Sequence, residues 1–297
     1  MKFSPWRILA IISVCMLVST PGCLSWDPGW EQVRDTETRV ITRALPAKVA
    51  DLENRAGSAE TLRELLTALE DIVKTDPGNK QALEKLGTYY TLMGYGYSGT
   101  KSEKQSNYTK GMQYCERVMY GNPDFKARIQ KGENVWDAGG VLTKNELYSL
   151  YFWYIAVGSM WRECLGAPAK ILNIQWPRRA GRVLEAMTKI DPDFRYGSIQ
   201  FVWANYYAAV PGFMGGDLKK SEDYFNKAIV AGPQMIQFLT GRARYLQTQK
   251  KDRDAFIADL KAAIAIAPEK SKPLEYAWAV FHINDARKML AEVDKYF

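Results

Sequence analysis

The sequence predicts an all-α protein, built as an array of helical hairpins with irregular loops and a C-terminal capping helix. Two observations carry this prediction. No segment alternates apolar and polar residues over the length of a strand. Helical stretches are instead followed by short breaks that contain proline, which lacks the backbone N–H and ends a helix. Five such breaks contain Pro77, Pro123, Pro192, Pro233 and Pro268.

The spacing of these breaks is typical of a helical repeat. Successive prolines lie 46, 69, 41 and 35 residues apart, whereas a tetratricopeptide unit has about 34 residues. Small and large residues also recur at fixed distances before each proline, which lets two helices approach closely. Before Pro233 these positions hold Ser221, Phe225 and Ala228; the corresponding sets are Ala180, Leu184 and Met187, and Gly111, Cys115 and Val118. We therefore expect a tetratricopeptide-like solenoid.

The first 22 residues are typical of a lipoprotein signal peptide. Lys2 and Arg7 precede an uncharged apolar run at 8–18, and Gly22 stands directly before Cys23. The run has about half the length that a transmembrane helix requires. We expect a signal peptide at 1–22, a lipidated tether at 23–32 with Cys23 as the lipidation site, and one domain at 33–297. The alternative is an ordinary cleaved signal with Cys23 incidental.

The mature chain begins with a short tether and continues in helices. We expect a helix at 33–56 broken at Pro46, a helix at 59–75, the hairpin array, and a capping helix at 273–296. Export predicts a periplasmic location, and Leu24 after the lipidation site is compatible with the outer membrane. Cys115 and Cys164 either pair or serve as two small buried apolar residues.

Charge and composition argue against nucleic-acid binding and against catalysis. The formal net charge of +7 is spread along the chain without a basic stripe. One histidine, His282, lies among apolar residues, so a structural role is favoured over a metal or catalytic one. The glycine-rich stretches lack the context of a phosphate loop. The sequence predicts no cofactor, no metal site and no enzymatic activity, although carboxylate-only catalysis stays an alternative.

Aromatic residues are concentrated in the middle of the chain. Residues 147–161 contain no charge, and the helix expected at 197–209 is also rich in aromatic side chains. Such helices are apolar on every side, so they lie at the centre of the fold or line a cavity or a subunit contact. Core packing accounts for most of these rings. The candidates for lining a ligand cavity are Tyr151, Trp153, Trp161, Trp203 and Tyr207.

The loop at 210–217 joins two predicted helices. Its length exceeds that of a standard repeat connection, which places Phe213 and Met214 on a projection where apolar residues often contact a partner. Gly215 and Gly216 permit tight turns, and Asp217 is placed to cap the next helix. These five residues are the candidates for a partner-binding loop. A purely structural turn and cap is the alternative.

These features together resemble the T component of tripartite ATP-independent periplasmic (TRAP) transporters. The resemblance spans roughly residues 60–285, and its specific part is the Val-Pro-Gly-Phe-Met-Gly-Gly-Asp-Leu loop at 210–218 with the following helix. Membership would imply a helical protein with a channel or cavity. It would also imply a propensity to form homotrimers and a partnership with the periplasmic solute-binding protein.

The function predicted first is that of an accessory transport lipoprotein. It would dock the solute-binding protein and offer an apolar cavity or passage to a small carboxylate or hydrophobic solute. The alternative is a tetratricopeptide scaffold lipoprotein for envelope or pilus assembly. A connected internal cavity favours transport, whereas a filled core with an open groove favours the scaffold.

Overall fold

A computed structural model describes residues 39–297, and this part of the chain is all-α, as the sequence predicts. The described residues contain one isolated parallel β-bridge, between Ile41 and Asn79. The predicted signal peptide, the lipidation site Cys23 and the tether at 23–32 lie outside the described residues.

The N-terminal part consists of helices joined by short loops and started by capping side chains. Ser58 and Thr61 form a reciprocal capping box, and the Asn79 side chain accepts from the Ala82 N–H at 3.1 Å. Each helix packs against the next. They are α1 (Ala47–Glu53), α2 (Ala59–Thr75), α3 (Lys80–Gly96) and α4 (Lys101–Met119).

Helices α3 and α4 approach closely where the sequence places small residues. A Cβ added at Gly87 would lie 2.5 Å from Cys115 Sγ, and one at Gly111 would lie 3.1 Å from the Gly87 carbonyl oxygen. Neither site has room for a side chain. The two glycines therefore permit the closest part of this helix pair.

The apolar helix predicted from residue 147 occupies a central position. It packs against α3 and α4 on one side and against the helix Trp176–Ile190 on another. Because its neighbours cover several of its faces, it can lack charge over most of its length. The helices of this region are α5 (Pro123–Gln130), α6 (Val135–Ala138), α7 (Leu147–Cys164) and α8 (Ala167–Leu172).

The C-terminal part continues with paired helices. Helices α10 and α11 pack together, α12 contacts both α13 and α14, and α13 packs on α14. Helix α12 continues through a π-helical segment, Arg242–Gln247, to Thr248–Lys250. The helices are α9 (Trp176–Ile190), α10 (Ser198–Ala209), α11 (Leu218–Ala231), α12 (Ile236–Gly241), α13 (Arg253–Ala265) and α14 (Tyr276–Ala291).

Two predicted boundaries are wrong in part. Residues 39–46 are not helical, and α1 begins only after Pro46, whose fixed φ and missing N–H suit a position just before a helix. The capping helix begins at Tyr276 rather than at Pro273 and ends at Ala291, followed by a 3₁₀ turn. Cys115 and Cys164 are both free thiols, Cys115 buried and Cys164 partly exposed.

The predicted repeat positions are largely buried. Ser221, Phe225 and Ala228 are fully buried, and Leu184 and Met187 are too. This burial agrees with paired helices, while the tetratricopeptide solenoid stays a prediction. Among the described helices none is long and apolar enough to span a bilayer.

Candidate functional site

A cavity of about 200 Å³ lies among α3, α7, α9, α10, α12 and α14. Its walls are mostly aromatic and aliphatic. Helix α7 forms the longest wall, from Tyr151 to Arg162, and the facing helices supply Trp176, Phe201 and Trp278 among others. The uncharged run of the sequence thus becomes the apolar surface of a cavity.

Gly158 is a position of α7 at which no side chain fills the cavity. It lines the cavity, and a Cβ added to it would meet no atom within 4 Å. Glycine in a helix interior costs about 1 kcal/mol relative to alanine. The packing of α7 does not require glycine here, in contrast to Gly87 and Gly111.

A polar cluster interrupts the apolar wall at Tyr95, Tyr245 and Arg162. The two tyrosine hydroxyls lie 3.0 Å apart. The guanidinium carbon of Arg162 lies 5.6 Å from the centroid of the Tyr95 ring and 5.2 Å from that of Tyr245. Burial raises the pKa of Tyr95 well above its usual value, so that hydroxyl stays protonated and able to donate. Arg162 therefore sits between two aromatic faces at the cavity wall.

A second arginine in the lining, Arg195, makes three hydrogen bonds to the protein. Its Nη1 donates to Glu275 Oε1 at 2.8 Å, and its Nη2 donates to Glu275 Oε2 at 3.0 Å and to the Pro273 carbonyl oxygen at 2.6 Å. Burial opposes ionisation of Glu275, but the charge and hydrogen bonds of Arg195 hold its pKa below the usual value. This bidentate pair ties the turn before α10 to the start of α14.

His282 also lines the cavity, but as a neutral group. Its Nδ1 lies 3.2 Å from Thr240 Oγ1, and its ring stacks on Trp278 with 5.7 Å between centroids. Burial lowers the pKa of His282 to about 4, because the charged imidazolium is poorly solvated there. At neutral pH this side chain adds no charge to the cavity.

Four buried polar atoms of the lining have no hydrogen-bond partner in the described protein. Two are donors and two are amide oxygens, so both kinds of polar group of a ligand could be satisfied. An unsatisfied buried group of this kind costs about 1–3 kcal/mol, and such atoms concentrate at functional sites. They are Trp161 Nε1, Trp278 Nε1, Asn205 Oδ1 and Gln237 Oε1.

The sequence model of the TRAP transporter T-component family matches residues 58–297. The chain belongs to this family. Membership gives it an accessory role in TRAP transport, on the periplasmic side and in association with other TRAP components. The T-component family consists of transporter accessory proteins and is not known as enzymatic. A search of curated proteins finds no match to the chain.

The structure divides the predicted cavity residues of this T-component into two groups. Tyr151 and Trp161 line the cavity. Trp153, Trp203 and Tyr207 are not among its lining residues: Trp153 Nε1 donates to the buried Glu116 at 2.9 Å, on another face of α7. The periodicity of a helix that is apolar on every side does not distinguish these faces.

The other two predicted rings belong to an aromatic cluster between α10 and α11. Trp203 stacks on Tyr207 with 5.6 Å between centroids, and Tyr207 stacks on Tyr224 at the same distance. Trp203 Nε1 also donates to Thr188 Oγ1 at 2.9 Å. These rings are therefore used in packing between neighbouring helices.

The predicted partner loop lies on the surface of the T-component. Phe213 is 83 % exposed, Met214 is partly buried, and Gly215 has a φ of +99°, which favours glycine. A Cβ at Gly216 would overlap the Val210 carbonyl oxygen. Asp217 caps α11 by accepting from the Lys219 and Lys220 N–H groups at 2.9 and 3.0 Å, as predicted.

Sequence reasoning missed the polar part of the site. Arg162 is the first charged residue after the uncharged run that begins at 147, and this position was a usable signal. Tyr95 and Tyr245 lie 150 residues apart in sequence, and no local pattern relates them. Among the described residues no group of His, Cys, Asp and Glu side chains is placed to hold a metal ion.

Proposed function

We propose that this T-component holds a small hydrophobic or carboxylated solute in its cavity and passes it to or from a periplasmic solute-binding protein. In this proposal the protein is a lipoprotein, anchored to the outer membrane through Cys23, and it self-associates, as the family resemblance implies. The cavity is the observation that carries the proposal.

The size and chemistry of the cavity suit such a ligand. An apolar protein cavity of about 150 Å³ holds benzene, and this one measures about 200 Å³. It therefore suits a compact ligand somewhat larger than benzene. Its walls are aromatic, and a few polar atoms converge on it, which is the usual composition of a small-molecule site.

The loop at 210–217 is the proposed docking surface for the solute-binding protein. Phe213 projects from a backbone that is fixed on both sides. The Met214 N–H donates to the Pro211 carbonyl oxygen at 2.8 Å, and the Asp217 N–H donates to the Tyr207 carbonyl oxygen at 3.0 Å. An exposed aromatic ring on an ordered turn loses little entropy on binding, so it makes an effective anchor.

The cavity is tested by native mass spectrometry of protein purified from the periplasm. We expect a small molecule to accompany the native protein and to be absent from Gly158→Leu. That substitution adds a side chain where the structure shows open space, so the melting temperature should not fall. Gly212→Leu, at an exposed position that also has open space, is the matched control. Equal occupancy in all three proteins would contradict the cavity proposal.

The docking loop is tested by titrating the solute-binding protein encoded beside this gene against Phe213→Ala/Met214→Ala. We expect binding to weaken by about 2 kcal/mol or more, as on loss of an apolar anchor, with nearly unchanged stability. Val230→Ala is the control, because Val230 is also 83 % exposed but lies on α11 outside the loop. Undiminished affinity of the double variant would exclude this loop.

Membrane anchoring is tested separately with Cys23→Ala. Acyl chains contribute about 0.8 kcal/mol per buried methylene, so their loss should release the protein into the soluble periplasmic fraction. A variant that stays in the membrane pellet after a salt wash would rule out lipidation as the anchor.

A further inference from the structure

We propose that Arg162 is the anion-binding residue of the cavity, and that the ligand is a small monocarboxylate with an aromatic or aliphatic body. This inference rests on the proposed function, since it names the ligand class and the subsite. It follows from the position of Arg162, its N–H groups that remain available, the charged side chains near it and the volume of the cavity.

The position of Arg162 is deep, and yet its side chain is accessible. It lies in the last turn of α7, in contact with the rings of Tyr95 and Tyr245. Nevertheless 38 % of its side-chain surface is accessible. Because Arg162 lines the cavity, a ligand placed there lies beside this side chain.

Arg162 has donors to spare, in contrast to Arg195. Among the described residues, the two side-chain hydrogen bonds of Arg162 both use Nη2: to Glu163 Oε1 at 2.9 Å and, weakly, to Ser159 Oγ at 3.4 Å. A guanidinium carries five N–H groups in a planar fork that suits a carboxylate. Arg195 already donates through Nη1 and Nη2 to Glu275. Of the two arginines in the lining, Arg162 is the one with N–H groups available to donate to an incoming carboxylate.

The charges around the cavity leave an excess of positive charge at Arg162. Glu163 is shared, because its Oε2 also accepts from Lys104 Nζ at 2.7 Å and from the Tyr108 hydroxyl at 3.1 Å. One carboxylate thus faces two cations. Lys170 adds a third cation nearby, since its Nζ lies 5.2 Å from the centroid of the Trp161 ring and donates to the Arg162 carbonyl oxygen.

The other charged groups at the cavity are balanced. Arg195 is paired with Glu275, and Arg244 near Tyr95 is paired with Asp285 at 2.6 Å. His282 is neutral at pH 7 because burial lowers its pKa to about 4. An anion would therefore compensate the charge at Arg162, whereas a cation would be repelled there.

The remaining walls define the body of the ligand. Away from Arg162 the cavity is lined by apolar groups such as Tyr154, Val157 and Trp278. Its volume of about 200 Å³ exceeds the roughly 150 Å³ that holds benzene by enough for a short acid side chain. 3-Phenylpropionate has this size and shape, and its neutral amide is a matched probe without charge.

The experiment measures both probes by calorimetry against wild type, Arg162→Met, Arg162→Lys and Gly158→Leu. Wild type should prefer 3-phenylpropionate over 3-phenylpropanamide by roughly 10- to 100-fold, the range expected for a charge-assisted hydrogen bond. Arg162→Met should abolish that preference, because it should weaken binding of the acid far more than binding of the amide. Arg162→Lys should retain part of the preference, because it keeps the charge but not the planar fork.

The fold should survive these substitutions. In Arg162→Met, Glu163 keeps Lys104 and Tyr108 as partners. Arg253→Met is the control, because Arg253 pairs with an exposed Asp294 and does not line the cavity. It should bind both probes as wild type does.

The outcomes separate this inference from the proposed function. An acid-to-amide preference that persists in Arg162→Met, or is absent in wild type, overturns the role of Arg162. With that outcome, the cavity proposal still stands if both probes lose affinity in Gly158→Leu. Failure of wild type to bind either probe overturns the assigned ligand class, whereas unchanged binding of both probes in Gly158→Leu overturns the cavity proposal as well.

Discussion

The α3–α4 pair and the cavity wall of α7 use glycine in opposite ways. At Gly87 and Gly111 the neighbouring helix is so close that a Cβ would collide with it. At Gly158 a Cβ would meet no atom within 4 Å. In the first region glycine brings two helices together, and in the second it leaves space unfilled.

This difference shows that close packing and an open cavity coexist in one helical array. The tight pair contributes stability through dense contacts. At the open wall, glycine at position 158 lowers the helix propensity of α7. Buried polar atoms there, such as Trp278 Nε1, have no hydrogen-bond partner among the described residues. A local loss of stability of this kind is typical of a binding site.

The largest expected effect comes from filling the tight pair. Gly111→Leu should destabilise the fold by about 3 kcal/mol, because overpacking forces the backbones apart. A Cβ there already lies 2.7 Å from Thr91 Oγ1 and 3.1 Å from a backbone oxygen that cannot move freely. Chemical denaturation measures the free energy of unfolding. A loss below about 1 kcal/mol would contradict this prediction, since it would show that α3 and α4 separate easily.

The second prediction concerns the pH dependence of stability, which tests whether water is excluded from the cavity wall at His282. Because burial lowers the pKa of His282 to about 4 from 6.5, the unfolded chain binds a proton between these values and the folded chain does not. Stability is therefore fully present above pH 6.5 and falls as the pH approaches 4. The loss attributable to His282 is about 3 kcal/mol, from about 1.4 kcal/mol per pH unit.

The measurement is a proton NMR titration, which is unambiguous because the chain contains one histidine. His282→Asn isolates its share of the pH-dependent stability from that of the carboxylates. The variant keeps a polar group near Thr240 and does not titrate. A measured pKa of His282 near 6.5 would contradict this prediction, because it would require a cavity wall solvated by water.

The smallest expected effect is that of adding a methyl group at the open cavity wall of α7. Gly158→Ala should raise the free energy of unfolding by about 0.5–1 kcal/mol, because alanine favours the helix and its methyl group meets no neighbour. The same exchange at Gly87 should destabilise, since its Cβ would lie 2.5 Å from Cys115 Sγ. Thermal melts compare the two variants. Shifts of the same sign would mean that the two regions do not differ.

Much of the helical fold could be predicted because its signals are local. Proline breaks and periodicity gave the helix at Ala59–Thr75 with its observed bounds, and placed the starts of α7 and α10 within one residue. The segment at 33–56 was predicted less well. Apolar residues there suit a helix, but residues 39–46 are not helical, and Ile41 pairs with the turn after α2.

The candidate site could be predicted only in outline. The uncharged run at 147–161 identified the helix that forms the cavity wall. It did not separate Tyr151 and Trp161, which line the cavity, from Trp153, which faces Glu116. A helix that is apolar on every side has no periodicity to show which face is which.

By itself the sequence determined the all-α class, the break points and the capping at Asp217, because each depends on residues within a few positions of one another. Only the tertiary structure decided where space remains open. That space depends on side chains brought together from distant helices, such as Tyr95, Arg162 and Tyr245. Packing in three dimensions, rather than local propensity, makes Gly111 a contact and Gly158 an opening.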